Sequence, residues 1–324
     1  MPRPTKGDQH VRGLLGNIAV TAILRAKMFV AADLFPICPV EKQSDKYVVY
    51  DSGDFLRDEA EERAPATESA GGGYDIDTSP YYLCRKYSYH HDVDDESRAN
   101  ADIPLNPDRT GVKFVSQKML IKRERMVLGN FVKAGIWTSE RTGVGSGPGA
   151  NQFLKWSVSG SKPVKDVDTW RNNIEELTGE SPNVLMLAPD VVTALKDNSD
   201  ITSRIQYTER GIITPDILAS LFEIEKVVVP RAIYNVAPKG ATKSMQRIVA
   251  GKALLCYANK EPSTEESSAG YTFAWKGFYG ASKLGTRIKK FRMEPLSADR
   301  IEGDLAIDPK IVAPDMGLLA ASVV

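Results

Sequence analysis

Two strand-like runs, KYVVYDSGDFLR over 46–57 and YYLCRKYSYHHDV over 81–93, flank the acidic stretch DEAEERAPATESAGGG. Both runs are rich in Tyr and Val, which favour extended backbone. Their connection far exceeds the about two to five residues of a tight hairpin turn, and Gly71, Gly72 and Gly73 loosen it further. The pattern predicts a long β-hairpin whose tip does not pack on its own domain. Across 51–69 the acids Asp51, Asp54, Asp58, Glu59, Glu61, Glu62 and Glu68 face only Arg57 and Arg63.

Other segments carry the opposite sign. Residues 1–30 hold Arg3, Lys6, Arg12, Arg25 and Lys27 against Asp8. Residues 109–125 hold Arg109, Lys113, Lys118, Lys122, Arg123 and Arg125 against Glu124, and 283–292 add Lys283, Arg287, Lys289, Lys290 and Arg292. The whole chain is neutral, with 42 basic and 42 acidic residues, so it is no bulk polycation that coats nucleic acid. Any one block reads as a solvated face. Alternating blocks in one neutral chain point to self-complementarity. A length of 324 residues allows about two domains. No uninterrupted apolar stretch is long enough to span a membrane and no secretory signal is visible, while three cysteines, Cys38, Cys84 and Cys256, fit free thiols of a reducing compartment.

Along the chain, a patterned segment from Leu14 to Phe35 ends at Pro36 and Pro39, too short for a domain. After the hairpin, Asn106 to Trp137 reads as one long helix, with Pro107 near its start, apolar Val112, Val115, Met119 and Met126, and Gly135 near its end. The stretch TGVGSGPGANQ reads as a linker. From Val164 to about Glu261 an α/β unit follows, with helices at 168–178, 190–196 and 215–222 and strands at 184–187, 227–229 and 253–257. The tail holds three further strand-like runs, TFAWKGFYG, TRIKKFRMEP and DRIEGDLAIDPKIVA.

Nothing in these elements carries catalytic chemistry. The histidines are His10, His90 and His91 alone, and adjacent His90 and His91 point to opposite faces of a strand, so HHDVDDE reads as a solvated strand end and not as a metal site. GVGSGPGA over 143–150 echoes a dinucleotide loop but follows a helix where the fingerprint needs a strand. There is no phosphate-cradling Gly-x-x-x-x-Gly-Lys motif and no nucleophile elbow. Asp190, after the strand 184–187, reads as a helix-start residue. The expectation is no catalytic, metal-binding or cofactor-binding residue and no enzyme activity. An α/β-domain enzyme would need a convergent polar pocket.

The order of parts, an arm, an acidic hairpin, a long helix, an α/β domain and a returning β tail, resembles the major capsid protein of tailed bacteriophages, the Hong Kong ninety-seven type fold. FPICPVEKQSDKYVVYDSGDFLRDEAEERAPATESAGGGY, HHDVDDESRANADIPLNPDRTGVKFVSQKMLIKRERMVLGNF and NVLMLAPDVVTALKDNSDI are similar to phage capsid sequences, and the likeness covers about 20–324. It implies an α+β subunit: an N-terminal arm over 1–45, an extended loop over 46–93, a peripheral domain of 94–163 and 263–324 with a spine helix over 106–137, and an axial domain over 164–262.

The same resemblance implies a structural protein of the virion. It would self-assemble into pentamers and hexamers of an icosahedral head around double-stranded DNA, inside the host bacterial cytoplasm, with no membrane partner. A protein-cargo nanocompartment built on this fold is the alternative, separated by finding DNA or a cargo enzyme in purified particles. Some capsids of this family join subunits through a lysine in the extended loop, but no lysine lies between Asp58 and Tyr74, so that bond is expected to be absent. A separate scaffold protein is expected, together with portal and cement proteins. The expected contacts between subunits run from Asp54, Asp58, Glu59, Glu61 and Glu62 of the tip to Lys118, Lys122 and Arg125 of the helix or Arg287, Lys289 and Arg292 of the tail. Arg3, Lys6 and Arg12 are expected to face DNA without reading its sequence.

Overall fold

The spine helix runs from Pro107 to Phe131, 25 residues and about 37 Å at 1.5 Å per residue. Asn106 caps it by accepting from the Arg109 amide at 2.9 Å, and Pro107 occupies the first turn, where a missing N–H costs nothing. The helix stops six residues before the expected Trp137. Trp137 is buried and its indole donates to the Phe131 carbonyl at 2.8 Å, while Glu140 accepts from the Gly135 and Ile136 amides. Gly135 supplies the positive φ of +85° that this reversal needs. The structure, a computed structural model, describes residues 28–50, 52–101, 105–205, 213–262 and 267–324.

One side of the helix lies on a five-stranded sheet. Its long central strand, Ala298–Ile311, pairs antiparallel with Thr286–Met293 and Gly270–Trp275 along one flank and with Arg85–Asp94 along the other. Ile37–Val40 adds in parallel to Gly270–Trp275 as an edge strand, a position that tolerates Pro39. Helix and sheet meet at two glycines. A Cβ on Gly111 would lie 2.9 Å from Ile301 Cδ1, and one on Gly303 would lie 2.5 Å from Val115 Cγ1. Val112, expected on the buried face, is exposed, because Gly111 and Val115 take the contact.

The hairpin is shorter than the sequence pattern implied. Ser44–Lys46 pairs with Tyr81–Leu83 and Val49–Tyr50 with Ile76–Asp77, but the run 81–93 divides at buried Cys84. Beyond that point Arg85–Asp94 leaves the hairpin for the central strand, so the loop occupies about 44–83 and not 46–93.

The α/β unit is larger than 164–262. Its six-stranded sheet has the order Lys226–Val228, Val184–Leu187, Ala253–Cys256, Gly317–Ala321, Ser139–Val144, Gln152–Leu154. Three of those strands lie outside the expected range. The expected linker, TGVGSGPGANQ, begins inside the strand Ser139–Val144, which pairs in parallel with the C-terminal strand, Leu318 opposite Ser139 and Ala321 opposite Thr142. Helices Pro163–Thr178, Pro189–Asp197, Ser199–Ile205 and Pro215–Leu221 belong to the same unit. Asp190 does not cap its own helix; its carboxylate accepts from the Gly251 amide at 2.6 Å.

The remaining side of the spine helix holds the segment leading into the sheet. Glu124 is fully buried, and its two oxygens accept from the Val30 and Ala31 amides at 2.9 and 3.0 Å, at the start of the short helix Ala31–Leu34. Burial pushes the Glu124 carboxyl above its ordinary range, against the pull of these two amides and of Arg123. Glu124→Ala leaves both amides buried without acceptors. Chemical denaturation of the variant should show a loss of about 2–6 kcal/mol, two orphaned donors at about 1–3 kcal/mol each.

Candidate functional site

Among the described residues the hairpin beyond its base is exposed almost throughout, from Gly53 to Ser79. Its two short ladders lead outward to a helical turn, Ser52–Phe55, beyond which the chain runs out to 75 as an exposed acidic tip. Asp54 is turned inward, accepting from the Asp75 amide at 2.9 Å and pairing with Arg57 at 3.2 Å. Glu59 reaches Arg57 at 3.7 Å. Asp58, Glu61 and Glu62 stand exposed. At the root of the tip the rings of Tyr50, Phe55 and Tyr74 gather, with centroids 5.3–5.9 Å apart, a cluster that reading charge alone missed. Its sequence signal is aromatic residues on both arms of the hairpin, beyond Tyr47 and Tyr82, which pack on Phe273 at its base.

The basic residues divide into two groups. The tail residues are engaged within their own chain. Arg287 binds the buried Asp304 through Nε and Nη2, Lys289 pairs with Glu302 at 2.9 Å, and Arg292 makes a two-pronged contact with Asp95 at 2.6 and 2.7 Å. The spine residues lie on aromatic rings and have no ion-pair partner among the described residues. Lys118 sits 5.3 Å from the Phe114 centroid, Lys122 4.5 Å from Tyr87 and Arg125 4.2 Å from Tyr234. Arg3, Lys6 and Arg12 lie outside the described residues.

Strand alternation decides what Arg85–Asp94 offers each side. Tyr87, Tyr89, His91 and Val93 face the spine helix, where Phe114 contacts Tyr89 at 5.8 Å and His91 at 5.6 Å. Burial lowers the His91 pKa. Ser88 and Asp92 face the other way, bonded to Asp304 and Arg300. Among the described residues no group of three or more His, Cys, Asp or Glu is placed to hold a metal ion. Cys38, Cys84 and Cys256 are buried free thiols, and burial pushes Cys84 and Cys256 up to about 12, which leaves them unreactive. No helix among the described residues is long and apolar enough to cross a membrane.

No protein-family model matches the sequence. It is 22% identical over 296 residues to the major capsid protein of Burkholderia phage BcepMu, covering 91% of each chain. The structure is similar to the crystal structure of a phage-related protein from Bordetella bronchiseptica RB50, with a TM-score of 0.70 and 22% identity over 97% of both chains. It is also similar to the capsid of cyanophage P-SCSP1u, with a TM-score of 0.58 and 11% identity over 97% of this chain and 93% of that one. The holo-SrpI encapsulin complex from Synechococcus elongatus PCC 7942 follows at a TM-score of 0.56 and 11% identity, over 96% of this chain and 95% of that one. The chain has the α+β fold of tailed-phage capsid proteins.

Asp304 anchors the sheet face opposite the helix. Burial alone would raise its pKa, but Ser88, Arg287 and Lys86 outweigh burial and hold the carboxyl below its ordinary value of 3.8. A carboxyl with a depressed folded-state pKa stabilises the fold fully above its unfolded value and loses that contribution as pH falls through the folded one. Acid unfolding of the wild type should therefore steepen below pH about 4, the ordinary carboxyl range. Asp304→Asn should flatten that limb and lower stability at neutral pH by about 3–5 kcal/mol, measured by denaturant titration across pH.

Proposed function

We infer that the chain is the major capsid protein of a tailed bacteriophage, a structural subunit that assembles with copies of itself into the head. The carrying observation is the uncovered hairpin held out by a chain that is alike over nearly its whole length to capsid proteins. A monomer gains nothing from ordering such an arm. A closed shell does, because each subunit must reach its neighbour at several curvatures.

In this reading the copies form pentamers and hexamers, and the acidic tip of one copy lies over the next. Lys118, Lys122 and Arg125 are the better placed receivers, since Arg287, Lys289 and Arg292 already have carboxylates of their own. Arg3, Lys6 and Arg12 would line the interior and meet packaged double-stranded DNA through its phosphates. Scaffold, portal and cement proteins complete the head, and assembly takes place in the host cytoplasm. The likeness to an encapsulin supports a second reading, a protein-cargo compartment, and nucleic acid in purified particles separates the two.

One exposed ion pair contributes only about 0–1 kcal/mol, so the tip acts through many repeated contacts. Asp58, Glu61 and Glu62 changed together to Lys should leave the unfolding transition intact while electron microscopy shows shells lost or fragile. Changing Lys118, Lys122 and Arg125 to Glu in the same chain should partly restore them. Shells of normal stability from the triple reversal contradict the placement of the tip.

A further inference from the structure

A further block of uncompensated charge lies within the α/β unit. Between Glu225 and Glu261 the chain carries no acid, although acids make up 42 of its 324 residues, and seven bases fall in that interval. Three of the seven are engaged inside the fold: Lys226 pairs with Asp33 at 2.7 Å, Lys260 pairs with Glu225 at 2.9 Å, and Lys252 donates to the Val132 carbonyl at 2.7 Å. The other four, Arg231, Lys239, Lys243 and Arg247, are exposed and have no carboxylate partner among the described residues.

These four share a second hairpin, in which Ile233–Asn235 pairs antiparallel with Met245–Arg247. Arg231 stands at its foot, Arg247 ends its return strand, and Lys239 and Lys243 lie in the connecting loop. The loop is braced from within. The Val236 amide donates to the Ser244 carbonyl at 2.9 Å, Asn235 Oδ1 accepts from the Ala237 and Ser244 amides at 3.1 and 2.9 Å, and Gly240 turns the chain at a φ of +93°. Strand alternation points Tyr234 at the spine helix, where Arg125 lies 4.2 Å from its ring, and sends Met245 and Arg247 to the opposite side. The cations therefore stand on an ordered frame, with Arg247 directed away from the spine helix.

The composition of this surface selects its partner. Interfaces between proteins are centred on aromatic and aliphatic anchors and are poor in lysine, whereas nucleic-acid interfaces are polar and strongly positive. The loop reads VAPKGATKS from Val236 to Ser244, small and polar residues around two lysines, with Val236 and Met245 the only large apolar side chains exposed on the hairpin. A two-stranded ribbon with cations at its foot and at its tip also suits a DNA groove, since the major groove is about 12 Å wide and admits such a ribbon between its two phosphate backbones. We propose that the hairpin 231–247 is a DNA-contacting surface, on which Arg231, Lys239, Lys243 and Arg247 bind backbone phosphates of double-stranded DNA without reading its sequence. It depends on the shell reading above only for the source of that DNA, and it is separate from the arm that carries Arg3, Lys6 and Arg12.

Fluorescence anisotropy of a short random-sequence DNA duplex, titrated with full-length chain over a series of salt concentrations, tests this. Each phosphate contact contributes about 0.9 to the slope of log affinity against log salt. Lys239→Gln with Lys243→Gln should lower that slope by about 2 and weaken binding about ten- to hundredfold near 0.1 M salt, and adding Arg231→Gln and Arg247→Gln should bring the change in slope to about 4. Lys165→Gln with Lys196→Gln, which removes equal charge from exposed sites of the same unit, should leave the slope unchanged. Equal slopes for the two pairs of substitutions overturn the proposal. So does a hairpin pair that binds the duplex like the wild type but fails to form shells, which assigns the surface to a neighbouring copy. A wild-type chain that forms no shells yet binds the duplex through these four residues overturns the shell reading and leaves this one standing.

Discussion

The architecture hangs on how closely the spine helix approaches its sheet. Two glycines, Gly111 on the helix and Gly303 on the central strand, remove the side chains that would hold them apart, and Val115 and Ile301 fill the remaining gap. Glycine within a helix costs about 1 kcal/mol relative to alanine, so its place at 111 answers a steric demand. With the helix seated, each end acquires a task. Near its start, Arg98 and Lys290 bind Asp108 and Asp299, which joins helix, sheet edge and the turn at 95–99. Near its end, Val127 and Leu128 enter the core of the α/β unit, and Glu124 holds the segment at 30–31. A mostly polar helix is thereby fixed on three sides by few residues, which leaves its basic face open.

That open face and the uncovered hairpin are two halves of one property. The interior is finished: tryptophans 156 and 170 stack at 5.5 Å within a continuous core, and Asp304 is buried with its partners around it. The hairpin is built to another rule. It has two short ladders; Tyr47 and Tyr82 at its base pack on Phe273, while Tyr50, Phe55 and Tyr74 further out touch one another. Isolated two-stranded hairpins are marginal in water, and the outer ladder of this one, Val49–Tyr50 with Ile76–Asp77, holds no buried residue.

Much of this was legible in the sequence where local chemistry decides structure. Asn106–Pro107 announced the start of the spine helix, and the apolar run 184–187 announced a buried strand. The acidic, glycine-bearing connection announced the loop. What stayed hidden depended on distant partners. Ser139–Val144 reads SERTGV, too polar to signal a strand, and becomes one because Gly317–Ala321 lies alongside. The run 81–93 holds no Gly or Pro to mark a break, and only pairing with the central strand divides it at Cys84. Charge showed where bases lie along the chain but not that Arg287 and Arg292 were already answered by Asp304 and Asp95, which stand opposite or beyond a turn. The aromatic cluster escaped because Tyr74 lies on the opposite arm from Tyr50 and Phe55 and meets them only once the hairpin closes.

The central claim is that the hairpin is completed by a neighbouring copy. Hydroxyl-radical footprinting of the same preparation, assembled and then dissociated, reads it most directly at the rings of Tyr50, Phe55 and Tyr74. Oxidation of all three should fall several-fold on assembly, while Tyr279, which is 94% exposed and lies away from that cluster, serves as the internal reference. Equal oxidation of the three rings in shells and in free subunits would contradict the account.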